Sequence, residues 1–215
     1  MSEIATAGDP PRLTARGLAT RERIVRAAAE LMFEHGVAGT STPDVRDAAG
    51  VSSSQIYHYF ADKSALTRAV IEFQTERIVG GQTELLSRLD SFEALRAWRD
   101  ALVQIQHDLQ CRGGCPLGTL TGELAEHDAI ARGALAESFT RWGDAIRDGL
   151  QHMIDTGVLR ADTDPRRLSL ATLAALQGGL VLAQAQRSTE ALESGLDAMI
   201  VLIESHAVGP RRSRK

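Results

Sequence analysis

The chain has 215 residues, of which 43% are hydrophobic and 24% charged, and its net charge is −4. This length can bury a full core, divided between a small domain and a larger one, and the negative charge argues against a nonspecific nucleic-acid coat. Two cysteines cannot form a disulfide framework, which fits a reducing cytoplasm. Helix-forming residues dominate and no segment shows the alternation of a strand, so we predict an all-α fold.

Residues 1–17 are predicted to form a flexible N-terminal arm. The first eleven residues lack both a basic start and an apolar stretch, so we expect neither a signal peptide nor an anchor. Arg16 and Arg21 are the arginines that we expect to reach DNA backbone or minor groove, as N-terminal arms can. The alternative is a solvated basic arm.

A first helix is predicted from about Leu18 to His35, with Gly36 at its end. Its apolar stripe consists of Ile24, Ala28, Leu31 and Met32. We expect this stripe to clamp the two helices that follow.

Residues 41–63 read as two short helices joined by a tight turn. Thr42 can N-cap the first helix, Pro43 suits its first position, and Gly50 is a typical C-terminal residue. Ser52 opens the second helix and forms a capping box with Gln55.

The second of these helices has one apolar and one polar face. Ile56 and Phe60 are four residues apart and are predicted to pack inward, against Val45, Ala48 and Ala49. Ser54 and His58 point most nearly outward, flanked by Gln55 and Tyr57. A polar face without Asp or Glu can bond base edges and phosphates in a major groove. The alternative from periodicity alone is an ordinary αα-hairpin with a solvated face.

The segment from about Thr20 to Val70 closely resembles the DNA-binding domain of the TetR family of bacterial transcriptional regulators. The resemblance rests on a Gly-Val-Ser…Tyr-x-Tyr-Phe…Lys pattern within the run RERIVRAAAELMFEHGVAGTSTPDVRDAAGVSSSQIYHYFADKSAL. It implies that residues 53–60 enter the major groove, that Tyr59 and Lys63 meet phosphates, and that Ile56 belongs to the core. The family often has Gly-Thr where this chain has Ser54-Gln55, so sequence preference cannot be transferred. The predicted DNA-contacting residues are Arg16, Arg21, Thr42, Ser53, Ser54, Gln55, Tyr57, His58, Tyr59 and Lys63.

Charge is distributed unevenly between the two parts of the chain. Residues 12–68 carry eight Lys or Arg against six Asp or Glu, whereas residues 69–209 carry twelve against twenty. We therefore divide the chain into a DNA-binding domain at 18–63, a ligand-binding and dimerisation domain at 64–207, and a basic tail at 208–215.

The larger domain reads as a series of helices that end at glycines and begin at capping residues. A long helix from Asp62 to Ile78 joins the two domains and is the expected lever between them. The later helices are predicted at about 90–109, capped by Asp90 with Glu93, at 116–125, at 128–157, capped by Asp128, at 164–187, capped by Asp164, and from 188 onward.

Residues 168–186 are uncharged and long enough to cross a bilayer. Five polar residues lie within this segment and no aromatic belt flanks it. We therefore predict a helix buried on all sides, between a pocket and a second copy of the protein, with Gly178 and Gly179 allowing close approach. A homodimer is expected, and no membrane partner.

The pair Cys111 and Cys115 leaves three interpretations open. They are small apolar residues at a helix break, or thiols that sense electrophiles or oxidants, or part of a zinc site with His107 and His127. For the thiol sensor, Arg112 and the helix N-terminus at Pro116 would favour a thiolate. The Gly-Cys-Pro-x-Gly stretch also loosely resembles TetR-like regulators that sense reactive compounds through a cysteine.

An apolar small molecule is the expected ligand of the larger domain. The predicted pocket consists of Trp98, Phe139, Trp142 and Leu176, with Cys111 and Cys115 as further candidate ligand-binding residues. No hydrolase, phosphate-loop or di-iron motif is present, so no enzyme activity, cofactor or metal is predicted. The predicted function is a ligand-responsive repressor that is released from a pseudo-palindromic operator. A thiol sensor on the same scaffold, a helical enzyme and an interaction module are the alternatives.

Overall fold

The computed structural model describes residues 13–209, and this range contains ten α-helices and no strand. A short 3₁₀ turn at Gly80–Gln82 follows α4, and one isolated bridge pairs Leu159 with Ala207. The helices are α1 Ala15–His35, α2 Thr42–Ala49, α3 Ser53–Tyr59, α4 Lys63–Val79, α5 Thr83–Ser87, α6 Phe92–Asp108, α7 Pro116–Leu124, α8 Ala129–Asp155, α9 Pro165–Gln186 and α10 Glu190–Glu204. The predicted all-α fold is confirmed.

Helix α1 begins three residues earlier than predicted. The Oγ1 atom of Thr14 accepts a hydrogen bond from the Gly17 amide at 3.1 Å, which is an N-cap. Residues 15–17, including Arg16, are therefore helical and do not belong to an arm. The remainder of the predicted arm up to Arg12, and the tail from Pro210, lie outside the described residues.

Two predicted N-caps are each displaced by one residue. Ser41, and not Thr42, caps α2, because Ser41 and Asp44 exchange side-chain and backbone hydrogen bonds in a capping box. Ser91, and not Asp90, caps α6. The predicted caps at Ser52, Asp128 and Asp164 are confirmed, and the helix predicted from Asp62 is capped by that residue.

Helix α5 was not predicted, and the start of α10 differs from its predicted position. The two glycines at positions 80 and 81 do not end the helical path, since the 3₁₀ turn leads directly into α5. Helix α10 begins at Glu190 and not at Ser188, because Arg187 ends α9 in the left-handed conformation (φ 55°).

The first three helices share one small core. Ile24, Val45, Ile56 and Phe60 are all at most 3% exposed, as the apolar spacing predicted. Ala48 is exposed, so its predicted inward position is wrong, and Leu31 is only half-buried. This core fixes α3 with its opposite face toward solvent.

The remaining helices pack into a larger bundle around α8 and α9. The largest fully buried side chains of this bundle are Leu89, Leu95, Leu117, Leu135, Trp142, Ile146 and Leu150. Helix α9 lies close to α10, because a Cβ atom on Gly179 would stand 2.7 Å from the Cα of Leu192. Helix α4 packs against both α1 and α8 and so connects the two cores.

Helix α9 is buried on one face within the chain, and its other face, which was predicted to contact a second copy, is exposed in the single chain. Gly178 is exposed, and 44% of the apolar window of this helix is buried within the chain. Its length and mean hydropathy of 1.5 would suffice for a membrane span. The core helix of a soluble bundle meets the same criterion, so these properties are weak evidence for a membrane.

Candidate nucleic-acid interface

Helices α2 and α3 form a compact helix-turn-helix. Gly50 closes α2 with φ 61° and ψ 44°, a left-handed conformation in which glycine avoids the cost of a side chain. The Ser52 amide donates to Gln55 Oε1 at 2.9 Å, and the Gln55 amide donates to Ser52 Oγ at 3.2 Å. These bonds set the direction in which α3 leaves the turn.

The outward face of α3 carries exposed polar side chains. Ser53, Ser54, Gln55, Tyr57 and His58 are all exposed, and Tyr57 keeps 61% of its surface in solvent. The predicted set is therefore brought together on one helix. Gln55 also caps its own helix, so its amide oxygen has a structural partner before any base contact.

Aromatic contacts form at the C-terminal end of α3 and at Phe60, the residue after it. The His58 and Tyr59 rings meet edge to face with centroids 4.9 Å apart. The guanidinium of Arg21 lies 5.3 Å from the centroid of the Phe60 ring, within cation–π range, while its side chain remains exposed. Arg16 is exposed in the first turn of α1, and Thr42 is half-buried in the first turn of α2.

Lys63 has a protein partner that the sequence did not predict. Its Nζ atom donates to the Val37 carbonyl at 2.6 Å, in the turn between α1 and α2. An ammonium group has three donors, so two remain for a phosphate. Its predicted phosphate contact thus stays a prediction, and the residue also has a structural role.

Two carboxylates near the helix-turn-helix are held in their charged forms. Hydrogen bonds from Ser41 lower the pKa of Asp44, and the bond from Arg46 lowers the pKa of Asp47. The Arg46 Nε donates to Asp47 at 2.6 Å. Because these folded-state pKa values are depressed, the stability that the two groups contribute is present at neutral pH and is lost as the pH falls through them.

Two family models cover most of the described chain. The one described as "Bacterial regulatory proteins, tetR family" matches residues 24–70, and "Tetracyclin repressor-like, C-terminal domain" matches residues 91–199. The second match alone spans just over half of the chain. The protein belongs to the TetR family. The resemblance predicted from the helix-turn-helix residues is confirmed, and the chain is a transcriptional regulator of that family.

Individual relatives agree with this assignment. The HTH-type transcriptional repressor KstR2 of Rhodococcus jostii is 32% identical over 146 residues, which cover 67% of this chain and 70% of the relative. An HTH-type regulator in the lacX 3′ region of Lactococcus lactis is 29% identical and covers 84% and 91%. The crystal structure of a TetR transcriptional regulator from Chloroflexus aurantiacus is 25% identical, with a TM-score of 0.75 and coverage of 90% and 98%.

The predicted apolar pocket of this TetR-family chain is filled by its own side chains. Trp142 and Leu176 are buried and Phe139 is half-buried. Trp98 is also buried and donates from Nε1 to Gln82 Oε1 at 2.8 Å. None of the four lines either cavity found within residues 13–209.

The two cavities lie elsewhere in the described chain. One of about 10 Å³, room for a single water, lies where α1, α4 and α7 meet. Its lining includes Met32, Phe33, Gln74 and Pro116. The other is an open surface cleft of about 540 Å³, and its lining is mostly polar: His107, Gln110, Cys111, Arg112, Arg187, Ser188 and Thr189.

The Cys115 thiol is not in the activated state expected of a sensor. Cys115 is the N-cap residue of α7, as predicted, but burial raises its pKa, and the smaller opposing hydrogen bonds from Gly118 and Gln177 do not reverse this. Cys111 is buried at φ 53°, and its carbonyl accepts a bond from Arg187 at 2.8 Å. The argument that the α7 N-terminus favours a thiolate is therefore wrong, since desolvation outweighs it.

The zinc alternative is also unsupported by the geometry. Across residues 13–209, no three His, Cys, Asp or Glu side chains come together as a metal site. His107, Cys111, Cys115 and His127 therefore do not converge on one ion.

Proposed function

We propose that this protein is a cytoplasmic repressor that binds a pseudo-palindromic DNA operator as a homodimer and is released by a small apolar molecule. The observation that carries the proposal is the exposed polar face of α3 on a helix-turn-helix whose other face is fully buried. A helix presented in this way can enter the major groove. The relative KstR2 is a transcriptional repressor, which supports repression as the direction of regulation.

The homodimer is supported by two exposed apolar stripes on the last two helices. Soluble monomers rarely leave contiguous apolar patches in water. The stripe on α9 consists of Leu170, Ala174, Gly178, Val181, Leu182 and Ala185, and that on α10 of Ala198, Val201 and Leu202. A second copy would cover them in an isologous four-helix interface and place two α3 helices one helical turn of DNA, about 34–36 Å, or a multiple apart.

The ligand proposal rests on a polar atom buried in the larger bundle without a partner. Trp142 Nε1 is an enclosed donor with no hydrogen bond. A buried donor left unpaired costs about 1–3 kcal/mol. A mostly apolar molecule with one acceptor atom would satisfy it if the surrounding side chains moved apart.

His58→Ala and Lys63→Ala should weaken DNA binding in different ways. Loss of the His58 ring from the outward face of α3 should change which base pairs are preferred. Loss of the Lys63 ammonium should weaken binding to all sequences and reduce the salt slope by about one charge unit. Binding should be measured by fluorescence anisotropy across salt concentrations. His152→Ala, exposed on α8, is the matched control, and wild-type binding by both test variants would show that the DNA-facing surface is misassigned.

Operator release should be reversible and should not need either thiol. Wild type and a Cys111→Ser/Cys115→Ser variant are compared against a panel of neutral apolar compounds, quinones and peroxide. Because burial raises the pKa of Cys115, we expect a neutral compound to release both proteins, with coupling of about 1–3 kcal/mol. Release of wild type alone by the electrophiles would instead establish a thiol sensor. If no compound loosens either protein, induction by a ligand is wrong.

A further inference from the structure

A carboxylate of the larger bundle is hydrogen-bonded to the turn that follows α1. Glu123, in α7, accepts a hydrogen bond at its Oε2 from the Val37 amide at 2.7 Å. The carboxylate lies beneath Gly36, where a Cβ atom would stand 2.9 Å from the same oxygen. The two residues are 86 positions apart in the chain, so this bond joins the helix-turn-helix part of the molecule to α7.

The same backbone residue holds the start of α4. The Val37 carbonyl accepts the 2.6 Å bond from Lys63 Nζ, and Lys63 is the first residue of α4, four positions after α3 ends at Tyr59. Val37 is therefore bonded to α7 through its amide and to the end of the helix-turn-helix through its carbonyl. A displacement of Glu123 would therefore act through Val37 on Lys63 at the start of α4, next to α3, and would not have to pass along the length of α4.

A second contact joins α1 to the loop between α6 and α7, residues 110–115. A Cβ atom on Gly113 would lie only 1.9 Å from Phe33 Cζ in α1. The next residue faces the other way, since a Cβ on Gly114 would meet Gln184 of α9 at 2.5 Å. Both glycines have positive φ, 83° and 60°. The loop therefore contacts α1 through Gly113 and α9 through Gly114.

We propose that Glu123 and Gly113 are positioning residues for DNA binding, which hold the helix-turn-helix against α7 and the 110–115 loop in addition to the connection along the length of α4. The proposal rests on the proposed function, and it specifies which contacts connect the larger bundle to the helix-turn-helix that carries α3. Three residues of the same loop line the open polar cleft: Gln110, Cys111 and Arg112. Rearrangement of this loop would thus act on Phe33 directly. Loss of either contact leaves α3 less preorganised, so DNA binding should weaken.

The adjacent glycines provide a matched test. Gly113→Ala and Gly114→Ala introduce the same side chain at positive φ in one loop, but only the first meets α1. Binding is measured on the inverted-repeat duplex that wild type selects from a random library. We expect Gly113→Ala to weaken binding at least fivefold, which is the lower end of typical coupling between sites. We expect Gly114→Ala to weaken it less than twofold. Phe33→Ala should be non-additive with Gly113→Ala and additive with Gly114→Ala, because only one pair shares a contact.

The Glu123 contact is tested by removing the acceptor and then restoring it. Glu123→Ala leaves the Val37 amide without a partner and should weaken binding at least fivefold. Glu123→Gln keeps an oxygen acceptor at the same reach and should return affinity to within twofold of wild type. Glu126→Ala, at an exposed glutamate just beyond α7, removes the same charge without this contact and should leave binding within twofold.

Several results would overturn the proposal. One is equal DNA affinity of Gly113→Ala and Gly114→Ala, and another is tighter DNA binding by Gly113→Ala or Glu123→Ala. A third is the same DNA affinity for Glu123→Ala, Glu123→Gln and Glu126→Ala, which would indicate an effect of net charge alone. In those cases wild type still selects its duplex and the proposed function stands. If wild type selects no duplex, the proposed function fails and this inference fails with it.

Discussion

Glutamate at both Val181 and Val201 should leave the protein monomeric and cost about 10²–10⁴-fold in operator affinity, the range by which linking two binding modules raises avidity. The two valines are 62% and 65% exposed at the centre of the apolar stripes on α9 and α10. In an isologous interface each copy would bring both new carboxylates against the other copy. Like charges brought together in this way cost several kcal/mol. Light scattering gives the oligomeric state, and anisotropy gives the affinity.

Ile130→Glu is the matched control for the dimer experiment. Ile130 is 63% exposed, close to the 62% and 65% of the two valines. It lies near the start of α8, away from the stripes on α9 and α10. It should remain dimeric and bind DNA as wild type does. A valine double variant that is still dimeric at micromolar concentration would show that the stripes on α9 and α10 are not the interface.

Ile56→Ala should destabilise the helix-turn-helix by about 2–5 kcal/mol, the usual range for this truncation in a core. Ile56 is 2% exposed and is the one residue of α3 that is fully buried. The neighbouring Tyr57 is 61% exposed, so Tyr57→Ala should alter stability by no more than about 0.5 kcal/mol. The Tyr57 variant should nevertheless lose about tenfold or more in operator affinity, as removal of one DNA contact does.

Urea unfolding and anisotropy separate these two effects. Stability should fall in the Ile56 variant alone, whereas affinity should fall in the Tyr57 variant while its fold is intact. If Tyr57→Ala unfolds as easily as Ile56→Ala, the assignment of inward and outward faces on α3 is wrong. If Tyr57→Ala binds the operator as wild type does, this tyrosine does not face DNA.

Local signals in the sequence were sufficient for half of the ten helix starts in residues 13–209 and for the two faces of α3. Capping depends on residues within a single turn, and so Ser52 with Gln55 could be assigned before the structure was known. Where two capping residues are adjacent, as at Ser41-Thr42 and Asp90-Ser91, the choice depends on the direction in which the preceding chain enters. That direction is set by packing against distant helices and is absent from the local pattern.

Long-range contacts and the positions of cavities could not be predicted from the sequence. The periodicity of α8 and α9 placed Trp142 and Leu176 inward, but it gave no measure of how tightly their neighbours pack, and neither residue lines the small cavity at α1, α4 and α7 or the polar surface cleft. The bond from Val37 to Glu123 joins residues 86 apart, which no local sequence pattern relates to each other. The Phe33–Gly113 contact likewise depends on a loop whose course only the folded chain defines.

Selection of bound DNA from a random duplex library by the purified wild-type protein tests the central claim most directly, because it requires no knowledge of the operator. We predict enrichment of an inverted repeat whose half-sites are centred about 10–10.5 base pairs apart or a multiple of this, as for two α3 helices in one dimer. Binding to the selected duplex should weaken steeply with salt. Enrichment of no sequence, or of single sites without a repeat, would contradict a dimeric operator-binding regulator.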